Sequence, residues 1–318
     1  MYSIIIPCYN SSESIEEVVT STILEMKKMN KTPIEFILVN DCSPDQGKTI
    51  QKLREISKQY KFVKVINLAK NVGQHNAMMA GLRNASGDVL ISMDDDMQTR
   101  PSELPKMFEA FEMGYDVVYG CYPEKKHSWF RNMGSKFNQM TVNYLLKKPK
   151  AIRSSSFWIM RKFVKDSIIE YRGAHTYLLG LILRTTNNIK SVEVKHFERE
   201  YGRSGYTLKS LIALWSNIIG FTSKPLEIAM HLGYVISGGA FITALIIFIK
   251  KIMDPKLTVG WASMIVSIFF SLGVILIFMG IIGEYIGRMY LQVNSEPQYV
   301  IKEKINFDRE NGEVDKNG

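Results

Sequence analysis

The chain has 318 residues, of which 46% are apolar and 22% charged, so it is long enough for about two folded domains and unlike a disordered chain. Its 40 lysines and arginines outnumber 31 acidic residues, and the formal charge of +9 favours an anionic partner such as a membrane surface, a nucleic acid or a phosphorylated substrate. The three cysteines, Cys8, Cys42 and Cys121, form no metal-binding or disulfide pattern, which fits a reducing cytoplasmic environment.

The first hundred residues alternate short apolar runs with amphipathic segments. The predicted strands are Ser3–Pro7, Glu35–Val39, Lys64–Asn67 and Asp88–Met93, and the predicted helices are Glu13–Met29, Thr49–Tyr60 and Gln74–Arg83. Strands separated by helices of this length predict an α/β fold with a parallel, doubly wound sheet. Ligands bind such sheets beyond the carboxyl ends of the strands, so the polar residues that follow the strands should share one cleft.

An acidic cluster, Asp94 to Asp96, follows the fourth predicted strand directly, with Gln98 close behind. Adjacent carboxylates repel one another unless a cation or several hydrogen-bond donors compensate them. On an extended segment Asp94, Asp96 and Gln98 would point one way, and Asp95 the other. Oxygen ligands of this kind suit Mg²⁺ or Mn²⁺, with substrate phosphates completing the coordination shell. The alternative is an exposed acidic turn.

Two further polar clusters each allow two interpretations. Asp41, which lies shortly before Pro44, is either an Asx-turn residue or an acceptor of hydrogen bonds from a nucleobase. Asn71 to Gly73 precedes the third helix and is either a capped turn or a place where the backbone approaches a nucleotide or a sugar.

Four motifs occur in a characteristic order along the chain. They are Pro7-Cys-Tyr-Asn10, Val39-Asn-Asp-Cys-Ser-Pro-Asp45, Asn71-Val-Gly-Gln-His-Asn-Ala77 and Met93-Asp-Asp-Asp-Met-Gln98. Together they resemble the motifs of family 2 glycosyltransferases, which have the GT-A fold. Within that family the chain is similar, over nearly its whole length, to polyprenyl-phosphate sugar transferases. These include dolichyl-phosphate mannose synthases, bacterial glucosyl transferases and undecaprenyl-phosphate aminoarabinose transferases.

The resemblance implies roles for individual residues of the first hundred. The residues expected to bind the nucleotide-sugar donor are Pro7, Tyr9, Asn10, Asp41, Asn71, Gly73, Asp94 and Asp95. Asp96 and Gln98 are expected to hold the metal ion, and Asp94 and Asp96 are expected to act in catalysis. Asn40 occupies a position where Asp is commoner in the family. This departure affects a detail of the expected nucleotide contact. Further along, Ser154 to Arg161 resembles the strand and loop that pack under the donor sugar.

A second group of motifs is similar to the family's acceptor segment. Trp129 to Asn138 carries Arg131 and Ser135, which the resemblance places at the lipid phosphate, and Lys125 adds positive charge just before them. In a helix Arg131 and Ser135 are i,i+4 neighbours, so both could reach one phosphate. The alternative is a basic, solvated helix near anionic lipid.

An arginine-rich stretch, Phe197 to Tyr206, resembles a loop that closes over the donor in this family. Arg199 and Arg203 offer guanidinium donors for a pyrophosphate and are therefore expected to be catalytic residues. The alternative is an exposed ion-pair patch in which these arginines pair with Glu198 and Glu200.

Two apolar segments, Ile228–Ile249 and Leu257–Gly283, lack Asp, Glu, Lys and Arg and are each long enough to cross a hydrocarbon core of ~30 Å. A buried core hairpin is the alternative. The expected organisation is a catalytic domain over 1–206, an amphipathic interfacial helix region over 207–226, two transmembrane helices within 227–287, and a cytoplasmic tail over 288–318.

The hypothesis is an inverting glycosyltransferase that moves a sugar from a nucleotide-sugar, expected to be a UDP-sugar, to polyprenyl (undecaprenyl) phosphate for cell-envelope glycan or lipid A modification. The expected location is the inner (cytoplasmic) membrane, as a multi-pass protein with its catalytic domain in the cytoplasm. No nucleic-acid partner is expected, and a homo-oligomer is left open. One alternative is a processive polysaccharide synthase, which is disfavoured because the sequence lacks a QxxRW-like motif and has few spans. The other is a non-catalytic, membrane-anchored nucleotide-sugar binding protein.

Overall fold

The computed structural model of the protein describes residues 1–122, 149, 151–173, 176–195, 197, 224–253, 260–293 and 297–307. The strands are β1 (Tyr2–Cys8), β2 (Ile34–Asn40), β3 (Val63–Leu68), β4 (Val89–Ser92), β5 (Val117–Cys121), β6 (Trp158–Arg161), β7 (Ile189–Glu193) and β8 (Ile301–Ile305). The helices are α1 (Ile15–Lys28), α2 (Lys48–Gln59), α3 (Gln74–Arg83), α4 (Leu104–Glu112), α5 (Lys162–Ile168), α6 (Leu178–Thr185), α7 (Lys224–Met253) and α8 (Trp261–Val293).

The eight strands form one mixed sheet in the order β7-β5-β6-β4-β1-β2-β3-β8. Strand β1 pairs in parallel with β2 and β4, and β2 pairs in parallel with β3. Strand β6 is antiparallel to both of its neighbours, and β8 is antiparallel to β3. The predicted α/β fold and its parallel β1–β4 portion are confirmed, and the predicted ends of these strands and of α1–α3 lie within two residues of the observed ones.

Helices cover the sheet on both faces, and alternate residues of each strand point to opposite faces. On one side, here called the α1 face, α1, α2 and α4 pack against residues such as Ile4 and Ile6 of β1. On the other, the α3 face, α3, α5 and α6 pack against residues such as Ile5 of β1. Helix α3 lies close to β1 because Gly81 has no side chain, and a Cβ there would clash with Ile5 Cγ2.

The chain after α8 forms part of the sheet. Residues 288–318 were expected to be a polar tail, but α8 continues to Val293 and β8 pairs with β3. The carboxamide of Asn306 donates to the carbonyl oxygens of Ser57, at 2.6 Å, and Val63, at 2.9 Å. The buried carboxamide of Gln298 donates to the carbonyl oxygen of Gly173 at 2.7 Å. These contacts tie the segment that follows α8 to the sheet and to the chain preceding α6.

Helices α7 and α8 differ from the others in length and surroundings. Their apolar segments, Lys224–Thr243 and Ser267–Gly287, have mean hydropathies of 1.3 and 2.1 and contain no buried residue. Side chains such as Phe241 and Phe269 are about 70% exposed. Length and composition therefore allow both helices to cross a membrane. Most of the predicted interfacial helix region, residues 207–223, lies outside the described residues.

Candidate active site

The carboxylate of Asp94 lies just beyond the end of β4 and faces the α3 side of the sheet. Its Oδ1 accepts a hydrogen bond from Gln74 Nε2 at 3.0 Å, and its Oδ2 accepts one from the Ser156 hydroxyl. Burial raises the pKa of Asp94 to about 6, although the Ser156 bond acts in the other direction. A partly buried carboxylate with this pKa is more costly to ionise than an exposed one. It also lies beyond the carboxyl ends of the parallel strands, where ligands bind to sheets of this kind.

Asp95, the next residue, faces the α1 side. Its Oδ2 accepts the backbone N–H of Tyr9 at 2.9 Å and the hydroxyl of Ser11, and its carbonyl oxygen accepts the hydroxyl of Ser14. Burial raises the pKa of Asp95, while the bonds from Ser11 and Tyr9 oppose the rise. Asp95 was expected to bind the donor, and in the structure it holds the loop that follows β1.

Asp96 accepts the backbone N–H of Gln98 on its Oδ1 at 3.1 Å. Between them Met97 has a positive φ of 58°, so the chain turns here. The prediction that an extended segment points Asp94, Asp96 and Gln98 the same way is therefore wrong from Met97 onward, although Asp94 and Asp95 do diverge as alternation predicts.

The side chains of Asp96 and Gln98 both carry oxygen atoms of the chemical kind that binds a divalent cation. Among the described residues no group of three or more His, Cys, Asp or Glu forms a metal cage, and Asp94 and Asp95 are directed to opposite sides. The carboxylate of Asp96 and the carboxamide of Gln98 are hard oxygen ligands of the kind that Mg²⁺ or Mn²⁺ combines with water and substrate phosphates.

Asp41 is buried at the end of β2 and bonds to the loop that begins α3. Its Oδ1 accepts the Val72 N–H at 2.8 Å and its Oδ2 accepts the Gly73 N–H at 2.9 Å. Burial nevertheless raises the pKa of Asp41. The Asx-turn interpretation of Asp41 is wrong, because its neighbour Asn40 accepts the local bonds, from the Ser43 backbone N–H and hydroxyl.

The remaining expected donor residues also lie at the carboxyl ends of the parallel strands. Tyr9 and Asn10 are exposed after β1, and the Asn10 N–H donates to the Ser43 hydroxyl at 3.1 Å, linking this loop to the one after β2. Pro7 is half-buried within β1. Asn71 and Gly73 are exposed at the start of α3. The structure thus links the loops after β1, β2, β3 and β4 by hydrogen bonds around one site.

Sequence reasoning missed four residues that bond directly to the acidic cluster, namely Ser11, Ser14, Gln74 and Ser156. Gln74 and Ser156 lie in segments that the family resemblance had already singled out. Their contacts with Asp94 depend on separations of 20 and 62 residues in the sequence. Five expected site residues lie outside the described residues: Lys125, Arg131, Ser135, Arg199 and Arg203.

Comparison with known proteins identifies the family. The sequence description of glycosyl transferase family 2 matches residues 3–168. An undecaprenyl-phosphate 4-deoxy-4-formamido-L-arabinose transferase of Serratia proteamaculans is 31% identical over 307 residues, which is 95% of this chain and 93% of the relative. The protein of the same name from Edwardsiella ictaluri is 32% identical over 323 residues, covering 99% of this chain and 97% of the relative.

Among solved structures, the Mycobacterium tuberculosis glucosyl-3-phosphoglycerate synthase in complex with Mn²⁺, UDP-glucose and phosphoglyceric acid is similar in fold. The TM-score is 0.52 at 15% sequence identity, covering 70% of this chain and 78% of that one. At this identity the similarity concerns the GT-A fold alone. The match to the family and the identity to the curated relatives agree with the carboxylate site at the ends of β1–β4. The chain therefore belongs to glycosyl transferase family 2 and is a glycosyltransferase.

Proposed function

We propose that the protein transfers a sugar from a nucleotide-sugar, specifically a UDP-sugar, to undecaprenyl phosphate with inversion at the anomeric carbon. The observation that carries the proposal is the extent of the similarity to the named relatives. It covers 95–99% of the chain, whereas the family domain covers only residues 3–168. The shared length includes the two long apolar helices, which suit an enzyme whose acceptor is a membrane lipid.

The chemistry of the acceptor explains what the site must supply. A phosphate is already an anion, so it needs positioning and charge screening rather than a general base. Mg²⁺ or Mn²⁺ held by Asp96 and Gln98 would neutralise the negative charge of the leaving diphosphate. Asp94, which is held by Gln74 and Ser156, would contact the donor.

The sequence motifs supply the rest of the proposed site. Arg131 and Ser135, with the positive charge of Lys125 nearby, would bind the lipid phosphate. Arg199 and Arg203 would assist the departure of the diphosphate.

The order of the elements supports a membrane arrangement with two crossings. Strands β7 and β8 belong to one sheet, and α7 and α8 lie between them in the sequence. A chain that crosses twice returns to the side from which it started, so β8 can join the same sheet. We place this sheet in the cytoplasm, where nucleotide-sugars are made, and α7 and α8 in the cytoplasmic membrane.

The test is transfer by membranes that contain the full chain, supplied with undecaprenyl phosphate and a panel of radiolabelled nucleotide-sugars. We expect label from one donor in the lipid extract. We also expect a loss of at least ~100-fold on adding excess EDTA or on the substitution Asp96→Asn, which removes a charged ligand from a site with few protein ligands. Label in a growing polymer would favour a processive synthase, and lipid transfer that survives EDTA would contradict the metal site.

A further inference from the structure

The segment that follows α8 also contacts the α5–α6 connection, which is described at residues 169–173, 176 and 177. Gln298 is buried at this contact. Its side-chain amide donates to the carbonyl oxygens of Tyr171, at 3.1 Å, and Gly173, at 2.7 Å, and to the hydroxyl of Thr176, at 3.1 Å. An amide has two hydrogens for these three acceptors, so one hydrogen is shared. The Gln298 Oε1 has no partner among the described residues, so the side chain acts there as a donor.

Arg83, the last residue of α3, binds the same connection. Its Nη2 donates to the carbonyl oxygen of Tyr171 at 2.6 Å, and its Nε donates to that of Ile169 at 3.2 Å. Its Nη1 donates to the hydroxyl of Tyr299 at 3.2 Å, and its guanidinium lies 5.5 Å from the centre of the Tyr299 ring. Hydrogen bonds from a charged donor are stronger than those between neutral groups. Helix α3, the α5–α6 connection and the segment after α8 are therefore joined in one network.

The connection leads directly into the candidate active site. Thr176 is followed by Tyr177, whose ring lies edge-on to that of His75 at the start of α3, with 5.5 Å between the ring centroids. Beside His75, Gln74 donates to the Asp94 carboxylate at 3.0 Å. Gln74, His75 and Tyr177 also line a cavity of about 200 Å³. A shift of Thr176 would thus reach, through Tyr177, the part of α3 that holds Asp94.

We propose that Gln298 is a positioning residue for the transfer reaction. By fixing the α5–α6 connection it keeps Tyr177 packed against His75, and so keeps Gln74 where it bonds to Asp94. The inference rests on the proposed function, because it takes Asp94 as the residue that contacts the nucleotide-sugar donor. It adds that the chain beyond the two long helices serves the reaction as well as the sheet.

The experiment is steady-state transfer by membranes that contain the full chain, with saturating undecaprenyl phosphate and the nucleotide-sugar that the donor panel identifies. The variant Gln298→Met keeps the length of the side chain and removes the amide donor. We expect the KM for the nucleotide-sugar to rise about 3- to 10-fold, the effect of weakening one hydrogen bond at the donor. KM does not depend on the amount of folded enzyme, so a loss of stability alone would not change it. An unchanged KM would overturn the positioning role.

A double-mutant cycle tests whether the effect passes through Gln74. In a chain that already carries Gln74→Ala, the further substitution Gln298→Met should change the KM for the nucleotide-sugar by less than about twofold, because residues that act through one another are not additive. The same rise in both backgrounds would show that Gln298 does not act through Gln74, and would overturn the proposal.

The matched control is Asn306→Gly, in the same segment of the chain. The Asn306 carboxamide also donates to two carbonyl oxygens, those of Ser57 and Val63, which belong to α2 and β3 and not to the α5–α6 connection. Its φ is 60°, which glycine adopts without strain, so the variant removes the bonds alone. We expect a lower unfolding midpoint and an unchanged KM. A rise in KM equal to that of Gln298→Met would mean that any loosening of the segment has this effect, against a specific role of Gln298.

Hydrogen exchange in detergent gives a readout that needs no donor. In Gln298→Met the backbone amides of residues 176–178 and 74–77 should exchange at least about threefold faster than in wild type, and unaltered exchange at 74–77 would overturn the coupling to α3. If this variant does not fold, Tyr299→Phe replaces it. It removes only the hydroxyl that accepts from Arg83 and should raise the KM about 2- to 3-fold, and no rise would count against the network. Absence of transfer by wild type from every nucleotide-sugar would instead overturn the proposed function, while the exchange rates still test the coupling.

Discussion

Two neighbouring aspartates lie on opposite faces of the sheet and have different surroundings there. On the α1 face Asp95 is enclosed by the Tyr9 backbone and the Ser11 hydroxyl, so its carboxylate is occupied in holding a loop. On the α3 face Asp94 is held by two side chains that also line a cavity. Residues that are adjacent in a motif therefore have different surroundings, and we propose that Asp95 serves stability and Asp94 serves substrate binding.

The largest expected effect is a difference in transfer activity between variants of Asp94 and variants of Asp95. Asp94→Asn keeps the shape of the side chain but removes the charge that we propose contacts the donor, so we expect transfer to undecaprenyl phosphate to fall at least ~100-fold, or about 2.7 kcal/mol of transition-state stabilisation. The matched variant Asp95→Asn should stay within about tenfold of wild type, because its remaining oxygen can still accept from the loop. Initial rates of lipid labelling measure both, and equal losses would contradict the division of tasks.

The next largest effect concerns stability, where replacing Asp95 should cost more than replacing Asp94. Asp95→Ala leaves the Tyr9 N–H and the Ser11 hydroxyl without their acceptor, so we expect the free energy of unfolding to fall by about 2 kcal/mol. Asp94→Ala removes a carboxylate that is costly to ionise and should destabilise the protein less. Thermal unfolding of the two full-length variants in the same detergent makes the comparison. A lower midpoint for Asp94→Ala than for Asp95→Ala would argue against it.

A smaller effect should appear in the dependence of stability on pH. Burial raises the pKa of Asp94 from 3.8 to about 6, so the folded state binds this proton more tightly than the unfolded state. Its contribution to stability is thus fully present below about pH 4, is lost as the pH rises towards 6, and is constant above. The shift corresponds to at most about 3 kcal/mol, and we expect about 1–2 kcal/mol because the carboxylate is partly solvated.

The substitution Asp94→Asn removes this titration and so provides the measurement. Unfolding midpoints of wild type and variant should be closest near pH 4, with the variant becoming relatively more stable up to about pH 6 and the difference then remaining level. A difference that shrinks over that interval would mean that the pKa of Asp94 is lowered in the folded chain.

The smallest effect concerns two serines that each donate to one of the aspartates. Ser11→Ala removes a nearly buried hydroxyl from Asp95 and should lower stability by about 1 kcal/mol while transfer activity is retained. Ser156→Ala removes one of the two side-chain hydrogen bonds to Asp94, and it should affect activity more than stability. Measuring the transfer rate and the unfolding midpoint of both variants tests this, and the same pattern in both would show that the two faces are equivalent.

The strands β1–β4 and the helices α1–α3 could be predicted from the sequence because the information is local. Each of these strands is a short run of apolar residues, and α1 and α2 have an apolar stripe at helical spacing. Their ends coincide with polar turns or glycine. Nothing outside each segment was needed to recognise it.

Strand β8 could not be recognised in this way. Its sequence, Ile301-Lys-Glu-Lys-Ile305, is mostly charged and reads as part of a solvated tail. It is a strand because it pairs with β3, and the bond between Asn306 and Ser57 joins residues 249 positions apart. The candidate site, too, could be predicted only in part. Motifs predicted which loops converge, but the bonds of Asp94 to Ser156 and of Asp41 to Gly73 arise only from the folded chain.

The position of β8 in the chain also fixes the order in which the sheet can be completed during synthesis. The ribosome makes β1–β7 first, then the long helices α7 and α8, and only afterwards the strand that covers the edge of β3. Until then β3 presents unpaired N–H and C=O groups, which are a template for pairing with other chains. Translation that stops within the helix pair therefore leaves a nascent protein with an open sheet edge, prone to aggregation and to quality-control proteolysis.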